Sequence, residues 1–75
     1  MLDLADLELM AAVARTGSVR AAAAELAMHV ATVYRRLNGI ERRCGTPMFY
    51  HADGRLKPTE PGELVVQVAL EGQAR

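Results

Sequence analysis

The chain has 75 residues, nine basic and nine acidic, so its formal net charge at pH 7 is zero. This length allows one small domain and is too short for the pocket of a large enzyme. The single cysteine, Cys44, has no partner for an internal disulfide, and no cysteine and histidine cluster has zinc-ligand spacing. Neither a nucleophile with its base nor a phosphate loop is present. We therefore expect no catalysis, cofactor or metal.

The sequence contains no signal for membranes or secretion. No apolar run has the length of a membrane span, and the acidic start (Asp3, Asp6, Glu8) is unlike a signal peptide. We expect a soluble, unprocessed cytoplasmic protein with no membrane partner and no small-molecule site in this chain.

The charges are distributed unevenly despite the neutral total. Between His29 and Lys57 there are six basic residues and only two acidic ones, whereas acidic residues outnumber basic ones on either side. A basic middle flanked by acidic ends can turn one face of a small domain toward phosphates. The distribution therefore favours a nucleic-acid partner more than the net charge does.

Two helices are predicted before residue 28. In the first, apolar residues recur at steps of three and four: Leu4, Leu7, Met10, Ala11 and Ala14. Gly17 predicts the end of this helix, and Ser18 is a good N-cap for a second helix that runs to about Ala27. The second helix should bury Val19, Ala22, Ala23 and Leu26. Its alanines, from Ala21 to Ala24, allow another helix to approach closely.

A third helix should begin near His29 or Val30 and end at Gly45, and Pro47 prevents it from resuming. Its core face is predicted at steps of four, three and four: Val33, Leu37, Ile40 and Cys44. At a hundred degrees per residue, the opposite face carries Ala31, Thr32, Arg35, Gly39 and Arg42, with Tyr34 and Arg36 on its flanks. Close packing against the second helix and a polar leading end are typical of a helix-turn-helix.

A hairpin and a last helix complete the chain. Two short strands, Met48 to His51 and Arg55 to Lys57, flank an Asp53-Gly54 pair that favours a tight turn. Thr59 should cap the last helix, whose apolar stripe consists of Leu64, Val65, Val68 and Ala69. This stripe is open to two interpretations, core or dimerisation surface.

The ordered segments resemble the N-terminal DNA-binding domain of LysR-type bacterial transcriptional regulators over essentially the whole chain. The matching segments are Gly17-Ser18, the alanine run ending in Glu25-Leu26, Thr32 to Leu37, Ile40-Glu41, Gly45 to Phe49 and Lys57 to Gly62. The resemblance implies a mainly α winged helix-turn-helix, with three helices and a two-stranded wing over 1–58 and a linker and dimerisation helix over 59–75. It also implies a homodimer on double-stranded promoter DNA. Family members normally continue into an effector-binding domain, absent from these 75 residues, so we expect an excised domain or a stand-alone binder.

A recognition helix at about 30–44 would place particular side chains on the DNA. Arg35 is the first candidate for base readout, because its planar fork matches the two major-groove acceptors of guanine. Thr32 offers a hydroxyl or a methyl, and Val30 and Ala31 can pack against thymine methyl groups. Phosphate contacts are expected from Ser18, Tyr34 and Arg36. Wing residues Arg55 and Lys57 are expected at the backbone or minor groove, with mere solvation nearly as well supported, and Leu64, Val65 and Val68 are the dimerisation candidates.

The start of the recognition helix departs from the family pattern. That pattern usually reads S-Q-P-x-[LV]-S-[RK], and His29 and Val30 here replace its serine cap and its base-reading glutamine. The alternative function is therefore a winged helix for protein–protein interaction without specific DNA binding. Five further residues receive structural interpretations: solvated Arg42 and Arg43, His29 as a cap or turn residue, Cys44 in the core, and Phe49 as a core anchor beneath the wing.

Overall fold

The structure is a computed structural model that describes residues 2–73. It contains four helices and two strands in the order α1 (Leu4–Thr16), α2 (Val19–Glu25), α3 (Val30–Cys44), β1 (Phe49–Ala52), β2 (Arg55–Pro58) and α4 (Glu60–Gln73). These bounds confirm the predicted order of elements. The last two residues of the predicted 59–75 segment lie outside the described part of the chain.

Helix α1 is fixed at both ends by caps that the sequence specifies. The Asp3 side chain accepts a hydrogen bond from the Asp6 backbone N–H at 2.8 Å, and Asp6 accepts one from the Asp3 N–H at 3.1 Å. Such reciprocal bonds satisfy N–H groups that a helix start leaves without partners. Because the Asp6 N–H donates to it, the Asp3 carboxyl has a pKa below its usual range. At the other end Gly17 adopts the left-handed conformation, with φ of 69°.

The predicted apolar stripe of α1 is only partly correct. Leu4 is 68% exposed, whereas Leu9 and Val13, which lay outside the predicted stripe, are buried with Met10. The reason is that α1 packs against α2, α3 and α4, so its buried surface is wider than one stripe. Helix α1 is therefore the central element of the core.

Helices α2 and α3 pack as the sequence predicts, apart from the end of α3. Ser18 caps α2 by accepting from the Ala21 N–H at 3.1 Å, and Ala22 and Ala23 are buried. Helix α3 buries Val33, Leu37 and Ile40, but Cys44 is exposed, so its predicted place in the core is wrong. Cys44 lies in the last turn, where α3 has passed beyond the core. His29 occupies the N-cap position, as expected, but its side chain makes no capping bond.

The hairpin is a tight antiparallel pair attached to the start of α2. Phe49 pairs with Pro58 and Ala52 with Arg55, so only Asp53 and Gly54 form the turn. Both turn residues have positive φ, 54° and 76°, as the favoured two-residue hairpin turn requires. Phe49 is buried and confirms the predicted anchor beneath the hairpin. The Leu56 N–H donates to the Gly17 carbonyl at 2.9 Å, which ties β2 to the junction between α1 and α2.

Four residues, Pro47, Met48, Thr59 and Gly62, join the base of the hairpin to α4, and we refer to them as the hairpin–α4 joint. The Thr59 hydroxyl donates to the Pro47 carbonyl at 2.7 Å, and the Thr59 N–H donates to the Met48 carbonyl at 2.9 Å. The Thr59 hydroxyl also accepts from the Gly62 N–H at 3.1 Å, which confirms the predicted cap. A Cβ at Gly62 would overlap the Met48 carbonyl, so only glycine allows this approach.

The architecture is a helical core with a two-stranded antiparallel sheet that follows α3. The helix pair α2–α3 with this hairpin is a winged helix-turn-helix, as expected. Within residues 2–73, no helix combines the length and apolar character that crossing a membrane requires.

Candidate nucleic-acid interface

The leading turns of α3 present several exposed side chains, although Val30 packs partly against the core. Ala31 and Arg35 are exposed, Val30 and Thr32 are partly exposed, and Arg35 makes no hydrogen bond or ion pair within residues 2–73. The first turn also contains no acidic residue. The predicted reading edge is therefore available to a ligand with negative charge and hydrogen-bond acceptors.

The last turns of α3 are instead held by internal bonds. Arg43 donates to the Asp6 carboxylate at 3.2 Å, so the expectation that Arg43 is merely solvated is wrong. The Glu41 carboxylate accepts from the Met48 N–H at 2.7 Å. Arg42 is exposed, in agreement with its interpretation as a solvated residue. These bonds fix the far end of α3 against α1 and against the segment that precedes β1.

A groove of about 200 Å3 lies between the start of α2, Tyr34 in the leading turns of α3 and the hairpin, and we call it the wing groove. Its polar lining consists of Ser18, Arg20, Tyr34, His51 and Arg55. Three of the predicted contact residues, Ser18, Tyr34 and Arg55, are thus brought together here. Arg20 and His51 were missed, because one precedes the recognition helix and the other was assigned only to a strand. No periodic pattern in the sequence places either residue beside Tyr34.

The other two predicted phosphate residues lie apart from the wing groove. Lys57 donates to the Asp53 carboxylate at 3.4 Å across the hairpin turn. Arg36 is exposed, without a hydrogen bond or ion pair in the described chain, and its positive charge contributes in a minor way to the lowered pKa of Asp3. Arg36 therefore keeps its charged end available.

An exposed apolar ridge runs along α4. Leu64 is 62% exposed and Val68 is 57% exposed, one helical turn apart, whereas Val65 is half-buried against the core. Beside the ridge, Leu4 of α1 is also exposed, and Leu4, Leu7 and Val68 line a shallow cleft of about 110 Å3 between the two helices. These side chains give the domain an apolar face away from the wing groove.

The arrangement of an exposed α3 edge beside a groove with basic side chains defines a helix-turn-helix of the nucleic-acid-binding kind. Residues 4–63 match the family model described as the bacterial regulatory helix-turn-helix protein, lysR family. The chain therefore belongs to the LysR family of bacterial regulatory helix-turn-helix proteins, which confirms the resemblance.

Individual proteins support the same assignment. The chain is 37% identical over 60 residues to the HTH-type transcriptional regulator CbbR of Xanthobacter flavus, a match that covers 80% of this chain and 18% of CbbR. It is 32% identical to a LysR-family regulator from Eggerthella lenta, with a TM-score of 0.80 and coverage of 95% of this chain and 99% of that one. The chain thus spans less than a fifth of the length of its curated relative.

A solved DNA complex has the same fold. The DNA-binding domain of BenM bound to its catB site 1 superposes with a TM-score of 0.88 at 22% identity, over 97% of this chain and 82% of that one. This likeness shows the fold, and membership of the regulatory helix-turn-helix family supports sequence-specific DNA binding by a transcriptional regulator. A winged helix restricted to protein–protein interaction is not favoured.

Proposed function

We propose that this domain binds promoter DNA with the leading turns of α3 in the major groove and with the hairpin against the adjacent backbone. The observation that supports this most strongly is the contrast within the basic residues of α3. Arg35 has no partner in the described chain, whereas Arg43 is bonded to Asp6. An arginine without a protein partner at the leading edge of a recognition helix can donate two hydrogen bonds to one guanine.

The apolar residues at the start of α3 define a second part of the proposed readout. Val30 and Ala31 have no hydrogen-bonding side-chain atoms, and both are at least partly exposed. A base that these residues contact must therefore present an apolar group, and in the major groove that group is the thymine methyl. Thr32 has a hydroxyl that can form a hydrogen bond with a base edge and a methyl that can pack against thymine. We infer a half-site in which guanine and thymine are adjacent.

Phosphate contacts are proposed for Ser18, Tyr34, Arg36, Arg55 and Lys57. Ser18 and Tyr34 both line the wing groove, and the start of α2 adds the partial positive charge of a helix N-terminus. These contacts fix the register of the domain on the duplex and carry no sequence information themselves. Since its ligand is promoter DNA, the protein acts on the nucleoid in the bacterial cytoplasm, without a catalytic role.

We also propose that the domain forms a homodimer through α4. Leu64 and Val68 are exposed on one ridge, and Val65 and Leu4 extend the apolar surface on either side. A continuous apolar face on a small domain is stabilised when a second copy covers it. A symmetric dimer would present two copies of α3 to two half-sites.

Selection of bound duplexes from a random library tests the proposal most directly. We expect a partly symmetric motif with guanine and thymine in each half-site. Fluorescence anisotropy with the selected duplex and a scrambled control should then show a preference for the selected sequence and weaker binding as salt increases. Equal binding to both duplexes, or no binding at low salt, would contradict sequence-specific function.

The dimer is tested with a matched pair of variants on α4. Val68→Glu places a charge on the ridge, whereas Gln67→Glu places it at an exposed polar position of the same helix. In sedimentation experiments at high protein concentration, Val68→Glu should shift the protein toward monomer, and Gln67→Glu should behave like the wild type. A wild-type protein that remains monomeric at every concentration would count against the dimer.

A further inference from the structure

Arg55 of the hairpin lies directly over Gly17, 38 positions earlier in the chain. A Cβ atom built on Gly17 would be 2.6 Å from Nε and 2.7 Å from Nη2 of Arg55, and 2.9 Å from Cζ. The guanidinium therefore occupies the space that any other residue at position 17 would fill. The backbone bond from Leu56 N–H to the Gly17 carbonyl, at 2.9 Å, fixes the strand beside this contact.

Arg55 packs on Gly17 without an acidic partner to neutralise its charge. In the described chain, Arg55 has no hydrogen bond or ion pair, whereas Arg15 is bonded to Glu25, Arg43 to Asp6 and Lys57 to Asp53. The guanidinium also lines the wing groove next to Ser18, the N-cap of α2. Because Arg55 has no acidic partner, its positive charge remains available to an external anion.

We propose that Arg55 is a preordered phosphate-binding residue and that Gly17 is the positioning residue that orders it. The ligand is a backbone phosphate of the DNA that lies along the wing groove, so the inference rests on the proposed function. A long arginine side chain normally loses rotamer freedom when it binds. Packing on Gly17 removes part of that cost before DNA arrives. Because Arg55 lies on the hairpin and Gly17 directly precedes the N-cap of α2, the wing and the helix-turn-helix both take part in binding one phosphate.

The chain supplies a matched control for Gly17. Gly45 is also the C-cap of a helix, with φ of 72° against 69° for Gly17, and within residues 2–73 no atom beyond its two chain neighbours lies within 4 Å of a Cβ built there. Gly17→Ala and Gly45→Ala therefore introduce the same left-handed backbone strain. Only Gly17→Ala also displaces the guanidinium, which can move because it is the end of a flexible side chain.

The experiment measures the affinity of each variant for the selected duplex by anisotropy over a range of salt concentrations. Arg55→Ala should weaken binding roughly tenfold at physiological salt and lower the slope of log K against log salt by about 0.9 per chain. Arg55→Lys should keep the slope and lose part of the affinity, because it retains the charge without the planar fork. Gly17→Ala should weaken binding by a part of the Arg55→Ala loss, and Gly45→Ala should bind with wild-type affinity once folding is confirmed by circular dichroism.

A double-mutant cycle separates positioning from general damage. In the Arg55→Ala background, Gly17→Ala should cause no further loss of affinity, because the side chain that it displaces is gone. Equal effects of Gly17→Ala and Gly45→Ala, or an unchanged salt slope in Arg55→Ala, would overturn the inference. If the wild type fails to bind any duplex, the proposed function itself has failed. The two failures are thus distinguishable.

Discussion

The two ends of helix α3 lie in one continuous element but serve different purposes. At the leading end Arg35 is exposed and bonded to nothing in the described chain, whereas at the trailing end Arg43 and Glu41 are bonded to α1 and to the segment before the hairpin. Both ends are rich in arginine, so composition alone does not separate them. The difference shows that the availability of an arginine's charge on α3 depends on whether the fold places an acidic partner beside it, as Asp6 is placed beside Arg43.

The largest expected effect comes from the leading end. Arg35→Ala should weaken DNA binding by about 1 to 3 kcal/mol and relax the preference at one base pair, because a bidentate contact with guanine is lost. Anisotropy with duplexes that differ at single positions measures both changes. Arg42→Ala, at an exposed arginine farther along the same helix, is the control and should keep the base preference. An unchanged base preference in the Arg35 variant would remove its assigned role.

At the trailing end the expected effect is on folding. Asp6 is buried and accepts hydrogen bonds from Arg43 and from the Asp3 N–H, so Asp6→Ala should lower the free energy of unfolding by roughly 1 to 2 kcal/mol. Urea denaturation measures this change. Asp53→Ala, which removes the exposed partner of Lys57, should change stability much less. If both variants lose the same free energy of unfolding, the bond between Arg43 and Asp6 has no special importance for stability.

A smaller effect is expected on the second strand of the hairpin, at Lys57. Lys57→Ala should weaken binding to all duplexes alike, by less than the Arg35 variant, since Lys57 is shared between the backbone of DNA and Asp53. Parallel titrations of selected and scrambled duplexes measure the ratio of affinities, which should stay constant. A changed ratio would mean that Lys57 contacts bases.

The smallest effect concerns the start of α1. The lowered pKa of Asp3 means that its capping contribution is complete above the unfolded value of about 3.9 and is lost as the pH falls through the lower folded value. Asp3→Asn preserves a capping side chain but cannot titrate. Thermal melts at pH 5 and pH 3 should therefore show a smaller pH-dependent loss of stability in Asp3→Asn than in the wild type. Identical losses would contradict the cap's contribution.

The sequence predicted the elements well because their ends depend on local chemistry. Gly17, Ser18, Gly45 and Thr59 each fix a boundary through bonds or backbone geometry within a few residues. The hairpin was predictable for the same reason, since Asp53 and Gly54 both adopt positive φ.

Contacts between distant residues were not predictable in this way. The bond between Asp6 and Arg43, and the position of Arg55 over Gly17, depend on how finished elements pack together. The same limit explains the exposed Cys44, whose helical spacing matched the core although α3 extends past it, and the wide buried surface of α1, which several neighbours cover. Apolar periodicity predicts which face of a single helix is buried. The features named here depend also on how a second helix or strand packs against it.

The hairpin–α4 joint has a consequence for the geometry of the operator. Thr59 is bonded to the carbonyls of Pro47 and Met48, just before the hairpin, and Gly62 packs against the Met48 carbonyl, so these contacts set the direction in which α4 leaves the hairpin. If α4 pairs two copies, as proposed, this joint sets the distance and the relative rotation between the two α3 helices of the dimer. Substitution there should change which spacings between half-sites are tolerated, while each single half-site is recognised as before. The contacts of this joint, although far from the bases, would then determine the spacing between half-sites that the dimer accepts.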